Sequence, residues 1–181
     1  MLRLKDLMQR DVLAVSPDLT LRELVEVFAE REVSGAPVVT RRKVVGVISQ
    51  TDIFDFRADT SLVSLGPDGP SDDPEDSPRK RSGAPGSDFF SDSWDPMELG
   101  TVELMRTTRE RDWDLLDQYT VADVMTRDVL SQLSGTTLKK AAQYMLEKGI
   151  HRILVIDEGE LQGIVTVTDI VRAVAEERLK G

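Results

Sequence analysis

The 181-residue sequence contains no cysteine and only one histidine, His151. Without cysteine, disulfide bonds, thiolate metal sites and thiol nucleophiles are excluded, and one histidine cannot build a histidine-based zinc cluster. No apolar run reaches the roughly 18 to 20 residues of a membrane-spanning helix, and the amino terminus lacks the pattern of a secretory signal. We therefore expect a cytoplasmic protein without a membrane partner.

Basic residues are also in deficit. The chain has 23 lysines and arginines against 33 aspartates and glutamates, which gives a formal net charge of -10. Binding to a phosphate backbone over a broad surface requires a basic face, so we expect no nucleic-acid partner. Most of the excess acid is local, because residues 57–119 carry 7 basic and 15 acidic side chains.

The most informative feature of the sequence is an internal repeat. An offset of 117 residues aligns positions 4–55 with positions 121–172 without a gap, and 14 of the aligned positions are identical. Both copies contain Arg-Asp-Val-Leu and Thr-Asp-Ile at matching places. The duplication predicts a first repeat over residues 1–56, an insertion over 57–119 and a second repeat over 120–178.

Each repeat has the pattern of a small α/β unit. In the first, Thr20 and Glu23 form a capping-box pattern that predicts the start of an amphipathic helix. Two runs rich in β-branched residues follow and predict two strands. These runs are residues 36–39 and 44–48 in the first copy and residues 153–156 and 161–167 in the second. A second helix is predicted after them, with Thr51 and Asp52 as its N-cap in the first copy and Asp169 as its approximate start in the second.

The insertion has two parts of different composition. Residues 67–88 hold proline, glycine, serine and acidic residues with almost nothing apolar, which predicts a disordered linker. The later part contains both tryptophans together with Phe89 and Phe90. Residues 98–117 could form one helix of mixed charge. We expect its apolar side to pack on the repeats or on a second subunit, with docking to a partner protein as the alternative.

The repeats resemble the CBS domains, named for cystathionine β-synthase, which occur in tandem pairs in many regulators. Each copy opens with Asp-hydrophobic-Met, at Asp6–Met8 and Asp123–Met125. Each closes with a glycine, two β-branched residues, a hydroxyl residue and, three positions later, an aspartate, at residues 46–52 and 163–169. The resemblance implies an α/β fold, in which two β-α-β-β-α repeats pack about a pseudo-twofold axis as a Bateman module. It also implies a homodimer.

The resemblance further implies clefts between the repeats for adenosine-containing ligands such as AMP, ADP or ATP, with no obligatory cofactor and no metal. The closing aspartates, Asp52 and Asp169, would accept hydrogen bonds from ribose hydroxyls. A carboxylate suits a vicinal diol, because charge-assisted hydrogen bonds contribute about 1.5–3 kcal/mol each. From spacing alone, both aspartates could equally be helix N-caps. The hydroxyls expected to reach phosphate belong to Ser49, Thr51, Thr166 and Thr168.

The second repeat is similar to repeats of the γ subunit of AMP-activated protein kinase, in which the residues matching His151 and Arg152 contact nucleotide phosphate. The first repeat has Ser34 and Gly35 at the corresponding positions. We therefore expect unequal clefts, one of which combines Asp52 with His151 and Arg152. The alternative is a half-exposed histidine and a surface arginine at a strand end. The residues expected to line the adenine pocket are Val33, Gly35, Ala36, Pro37, Ile150 and Ile153.

These features predict a regulatory module. A nucleotide between the repeats would stabilise one arrangement of them, and a protein partner or the oligomer would respond to it. The alternative is an interaction or scaffold protein of the same fold that binds no nucleotide. An enzyme is not expected, because the sequence does not supply a base, a nucleophile and an oxyanion site together. The sequence does not decide which adenosyl ligand would bind.

Overall fold

Both repeats form the same succession of elements, which the computed structural model describes through residues 2–64, 89–90 and 110–176. The first repeat contains a 3-10 turn (Leu4–Asp6), α1 (Leu21–Arg31), β1 (Gly35–Thr40), β2 (Lys43–Ser49) and α2 (Gln50–Ser64). The insertion contributes α3 (Glu110–Gln118). The second repeat contains α4 (Val121–Val124), β3 (Ser131–Gln132), α5 (Leu138–Lys148), β4 (Arg152–Asp157), β5 (Glu160–Thr166) and α6 (Val167–Ala175). The predicted α/β class is confirmed.

The strands of both repeats belong to one five-stranded sheet with the order β1-β2-β5-β4-β3. Each repeat contributes an antiparallel hairpin, and the hairpins meet where Lys43 of β2 pairs with Glu160 of β5. Strand β3 runs parallel to β4. Its counterpart in the first repeat is a single parallel bridge between Val15 and Val38. The first strand of the expected β-α-β-β-α order is therefore short in both copies.

The two repeats exchange their opening segments, and this exchange defines the pseudo-twofold axis. Gln9 of the first repeat pairs with Ile164 of β5, and its counterpart Thr126 pairs with Val47 of β2. Two backbone hydrogen bonds of 2.8–2.9 Å join the residues of each pair. Buried backbone N–H and C=O groups need hydrogen-bond partners. The inner strand of each hairpin, β2 or β5, therefore depends on the opening segment of the other repeat for some of its backbone hydrogen bonds.

The glycine of each closing segment lies where the opening segment of the other repeat crosses it. A Cβ atom at Gly163 would lie 2.5 Å from the Gln9 carbonyl oxygen and 3.0 Å from Met8 Cγ. A Cβ atom at Gly46 would lie 2.7 Å from the Thr126 carbonyl oxygen. The segment that begins with the Asp-hydrophobic-Met motif of one repeat therefore packs on the closing glycine of the other repeat. This contact occurs twice, once on each side of the pseudo-twofold axis.

Among the described residues, two hydrophobic clusters form the core. The first contains Leu21, Leu24, Val25 and Phe28, four of the five residues predicted for the apolar face of α1, together with Ile48 of β2 and Ile53 of α2; the fifth, Ala29, is half-buried. The second is built mainly from α5, β4 and β5. The exchange extends into both clusters, since Leu4 and Met8 of the first repeat lie in the second cluster and Val121 of the second repeat lies in the first.

Helix α3 of the insertion packs against α1. Leu116 is buried in the first cluster, and Asp117 accepts a hydrogen bond from Arg22 at 2.5 Å. The apolar side of this helix therefore lies on a repeat, one of the two positions expected for it. Of the helix predicted over residues 98–117, the part before residue 110 lies outside the described residues, as does the linker predicted over 67–88.

The second helix of each repeat starts earlier than predicted. Helix α2 begins at Gln50 and helix α6 at Val167. The N-cap role predicted for Thr51 and Asp52 is therefore wrong, because both residues lie inside the first turn. Strand β2 runs into α2 without a loop, so its last residue, Ser49, has the position and the hydroxyl needed to cap the helix.

The short helix α4 carries a pH-sensitive capping box. The Asp123 carboxylate accepts hydrogen bonds from the Thr120 backbone N–H at 2.8 Å and from the Thr120 hydroxyl at 2.9 Å. These bonds, the backbone one most, lower the pKa of Asp123 from its ordinary value of 3.8. A lowered folded-state pKa contributes stability above the unfolded-state pKa, and that contribution is lost as the pH falls through the folded-state value.

We therefore expect Asp123→Asn to lower the Tm at neutral pH, because the amide accepts these hydrogen bonds less strongly. The difference from wild type should shrink below about pH 3.8 and vanish once the wild-type carboxyl is protonated. Thermal denaturation across this pH range measures it. Asp128→Asn, at an exposed position of the same repeat, is the matched control. An equal Tm difference at neutral and acidic pH would show that the carboxylate charge has no role.

Candidate functional site

The two predicted ribose ligands, Asp52 and Asp169, occupy equivalent positions in the first turns of α2 and α6. Oδ2 of Asp52 accepts hydrogen bonds from the Ser49 backbone N–H at 2.7 Å and from its hydroxyl at 2.8 Å. Oδ2 of Asp169 accepts the same two bonds from Thr166, at 2.9 and 2.8 Å. Each aspartate is therefore the third residue of a capping box and not the N-cap itself.

The other carboxylate oxygen of Asp169 is already engaged. Gln9 Nε2, from the first repeat, donates to Oδ1 at 3.1 Å, and Arg172 Nη1 lies 3.5 Å from the same oxygen. Asp169 is 4% exposed, whereas Asp52 is only partly buried. A ligand that used Asp169 would have to displace Gln9. Gln9 was not predicted as a site residue, and its one signal is its place directly after the opening Asp-hydrophobic-Met motif.

His151 and Arg152, at the start of β4, differ in exposure. His151 is exposed, and its carbonyl oxygen accepts a hydrogen bond from the Val167 N–H at 2.9 Å, which ties β4 to the start of α6. Arg152 pairs with Thr166 in the sheet and is 3% exposed. A surface arginine is therefore the wrong description of Arg152. Since a buried guanidinium is costly unless it is well paired, Arg152 depends on partners within the fold.

Gly35 is the first-repeat counterpart of Arg152, at the same point of its own hairpin. Gly35 pairs with Ser49, the residue that caps α2. The Asp52 capping box therefore lies next to a position without a side chain, whereas the Asp169 capping box lies next to an arginine. This difference makes the two strand ends chemically unequal.

Two phenylalanines of the insertion, Phe89 and Phe90, lie between these strand ends. A Cβ atom at Gly35 would lie 2.8 Å from Phe89 Cδ2, and the Arg152 guanidinium carbon lies 5.4 Å from the centre of the same ring. The Phe90 carbonyl oxygen accepts a hydrogen bond from the backbone N–H of His151 at 2.7 Å. Three of the predicted ligand-binding residues therefore contact this dipeptide, which sequence reasoning had assigned only to the insertion.

The remaining predicted site residues are placed largely by the core. Among those predicted for the adenine pocket, Ala36, Pro37, Ile150 and Ile153 are buried, and Val33 and Gly35 are half-buried. Among the predicted hydroxyls, Ser49 is buried, Thr51 and Thr166 are half-buried and Thr168 is exposed. The core already uses most of these apolar side chains.

The part of the chain that the structure describes holds neither a candidate metal site nor a helix that could span a membrane. No three histidine, aspartate or glutamate side chains come together there as a possible metal site. Over the same described ranges, no helix has both the length and the apolar character needed to cross a bilayer.

Comparison with protein families gives a match to the CBS domain at residues 4–59 and 121–176. The chain belongs to the CBS domain family. The two matched ranges fall on the two repeats, with the insertion between them. Together with the exchanged segments about the pseudo-twofold axis, they confirm the CBS pair fold that the resemblance implied.

Similar sequences include uncharacterized proteins as well as enzymes. The chain is 28% identical over 182 residues to the uncharacterized protein MJ1426 of Methanocaldococcus jannaschii, covering 94% of this chain and 89% of that protein. It is 30% identical over 162 residues to inosine-5'-monophosphate dehydrogenase of Korarchaeum cryptofilum, covering 89% of this chain but 22% of the enzyme. The similarity to that enzyme is thus confined to its CBS domains.

Solved structures of similar fold include CBS pairs with adenosyl ligands. CBSX2 of Arabidopsis thaliana in complex with AMP has a TM-score of 0.60 and 22% identity, covering 98% of this chain and 99% of that chain. The CBS pair of MJ0100 in complex with 5'-methylthioadenosine and S-adenosyl-L-methionine has a TM-score of 0.54 and 15% identity, covering 97% of each. MJ1225 of Methanocaldococcus jannaschii, proposed as an archaeal homolog of g-AMPK, has a TM-score of 0.59 and 22% identity, covering 96% of this chain and 48% of that chain.

Proposed function

We propose that this CBS pair is a regulatory module that binds an adenosine-containing nucleotide, such as AMP, ADP or ATP, between its repeats. The observation that carries the proposal is that Gly35 of the first repeat and Arg152 of the second both lie close to one ring, that of Phe89. Gly35 pairs with Ser49 of the Asp52 capping box, so a planar ligand group in this place would lie near that capping box and near the Arg152 guanidinium.

The polar groups around this place match the parts of a nucleotide. The Asp52 carboxylate suits the ribose diol, and the Arg152 guanidinium suits phosphate, which it can bind in a bidentate manner. The backbone N–H of His151 could donate a hydrogen bond to a purine ring nitrogen. The α2 amino terminus adds backbone N–H groups that favour an anion. A molecule with a diol and a phosphate on one sugar would use these groups together.

Nucleotide binding would be coupled to the arrangement of the repeats because each repeat completes the other. Asp52 belongs to the first repeat and Arg152 to the second, so a ligand that contacts both stabilises one relative position of the two. The exchanged Gln9–Ile164 and Val47–Thr126 pairs would transmit a shift of one repeat to the sheet of the other. A bound partner that prefers the same arrangement would then bind more tightly.

The proposal includes a homodimer whose stability changes when nucleotide binds. Val167, Val171 and Val174 lie at helical spacing on α6 and are exposed, as is Leu146 on α5. Exposed apolar helix faces of this kind favour association between subunits. Sedimentation equilibrium with and without nucleotide would measure whether the dimer is present and whether its stability changes.

The first test is titration of the full chain with AMP, ADP and ATP by calorimetry and thermal shift. A ligand at one hundred times its Kd stabilises the folded state by about 2.7 kcal/mol. For a chain of this size, the Tm should rise by about 5–10 °C. Dideoxy-AMP, which lacks the ribose diol, is the matched control and should give a much smaller shift. If no adenosyl ligand binds or shifts the Tm, the alternative of an interaction protein with empty clefts is correct.

A further inference from the structure

We infer that Phe89–Phe90 is an internal occupant of the nucleotide site, and that nucleotide binds by displacing it. The inference rests on the proposed function and adds a regulatory step to it. The insertion would then set the nucleotide concentration at which the module responds.

Steric exclusion is the first support. The Phe89 ring lies so close to Gly35 that even one added carbon would be 2.8 Å from Cδ2 and 3.4 Å from Cε2. Phe89 is 2% exposed and Phe90 is fully buried. A base or ribose at this strand end would have to occupy the same volume. Phenylalanine and nucleotide are therefore mutually exclusive at Gly35.

Chemical mimicry is the second support. The Phe89 ring lies against the Arg152 guanidinium at 5.4 Å, a cation–π geometry that a stacked base can also adopt. The Phe90 carbonyl oxygen accepts a hydrogen bond from the backbone N–H of His151 at 2.7 Å. A ring nitrogen of a bound purine would accept the same hydrogen bond. The dipeptide thus satisfies a planar contact and a hydrogen bond that a base would need. The two rings also pack edge to face, with centres 4.9 Å apart.

The energetic consequence follows from competition. If the dipeptide fills the site in most molecules, the apparent Kd for nucleotide is the intrinsic Kd divided by the open fraction. Burial of a phenylalanine ring favours the filled state by a factor of about 10 to 100. Removing the Phe89 ring should therefore tighten AMP binding by about tenfold to a hundredfold. Displacement also gives the partner a signal, because nucleotide binding releases a segment of the chain.

The decisive variant is Phe89→Ala, titrated with AMP by calorimetry beside the wild type. Tyr144→Ala is the matched control, because Tyr144 is an aromatic residue that packs against the same core cluster as Phe89. Tighter binding by Phe89→Ala and unchanged binding by Tyr144→Ala support the inference. Equal affinity of the wild type and Phe89→Ala overturns the inference and leaves the proposed function intact. No binding of AMP, ADP or ATP by either protein overturns both.

A second measurement uses the unmodified chain, so it does not depend on how the variant folds. Chymotrypsin cleaves after aromatic residues, and both phenylalanines are buried in the free protein. Saturating AMP should raise the rate of cleavage after Phe89 or Phe90, identified by mass spectrometry of the fragments. Phe28, at the centre of the first cluster, is the internal reference and should stay protected. Unchanged or slower cleavage at residues 89–90 in the presence of AMP overturns the inference.

Discussion

The Gly163→Ala variant is expected to lose about 3 kcal/mol of stability. The added Cβ would lie 2.5 Å from the Gln9 carbonyl oxygen, which is a backbone atom and cannot rotate away as a side chain can. Overpacking of this kind costs about 1–3 kcal/mol. The two backbone hydrogen bonds between Gln9 and Ile164 would weaken in addition, at about 1 kcal/mol each. Thermal denaturation should show a Tm lower by about 6–12 °C.

The internal repeat supplies the controls for this prediction. Gly46→Ala should also destabilise the protein, because its Cβ would meet the Thr126 carbonyl oxygen at 2.7 Å. Gly135→Ala should leave the Tm unchanged, since its nearest neighbour is Arg3 Nη1 at an ordinary 3.6 Å. A Gly163→Ala protein within about 0.5 kcal/mol of wild type would mean that the opening segment is not held against β5 in solution.

The Asp52→Ala variant is expected to bind AMP at least about a hundredfold more weakly. Two charge-assisted hydrogen bonds to the ribose hydroxyls contribute about 1.5–3 kcal/mol each, and both disappear with the carboxylate. The same change removes a capping box, so the Tm of the free protein should also fall. The affinity is measured by calorimetric titration at a temperature where each variant is folded.

Asp169→Ala is the matched control, because it removes the equivalent capping box in the second repeat. Its stability should fall by at least as much, since Asp169 also holds Gln9 of the first repeat. Its AMP affinity should nevertheless stay close to that of wild type. A loss of affinity from Asp169→Ala without one from Asp52→Ala would assign the working cleft to the other strand end and reject the composite site.

Much of the local structure could be predicted from single positions and their spacing. Thr20 caps α1 through a hydrogen bond from the Glu23 N–H at 3.2 Å, as the capping-box pattern indicates. Between residues 153–156 and 161–167, the predicted strands of the second repeat, the chain turns at Gly159, which has the positive φ of 83° that glycine tolerates. The N-cap of α2 was misplaced because Thr51 and Asp52 are also common capping residues. Only the continuity of β2 with α2 shows that Ser49 takes this role.

The candidate site was predicted in part. Asp52, Asp169, His151 and Arg152 were predicted from the resemblance to CBS domains, and the structure brings His151 and Arg152 together with Gly35 around one dipeptide. Burial of Arg152 could not be predicted, because a strand-end arginine is usually exposed. The blocking of Asp169 by Gln9 was also missed, since these residues are 160 positions apart.

The sequence alone determined that the chain is a duplicated α/β unit with a foreign segment between the copies. Repetition, apolar periodicity and capping are local properties, and each can be read from neighbouring residues. The tertiary structure decided which surfaces meet: the opening segment of each repeat on the glycine of the other, Gln9 on Asp169, and Phe89–Phe90 between the strand ends. These contacts join distant parts of the chain through shape and unsatisfied backbone groups, and no local pattern encodes them.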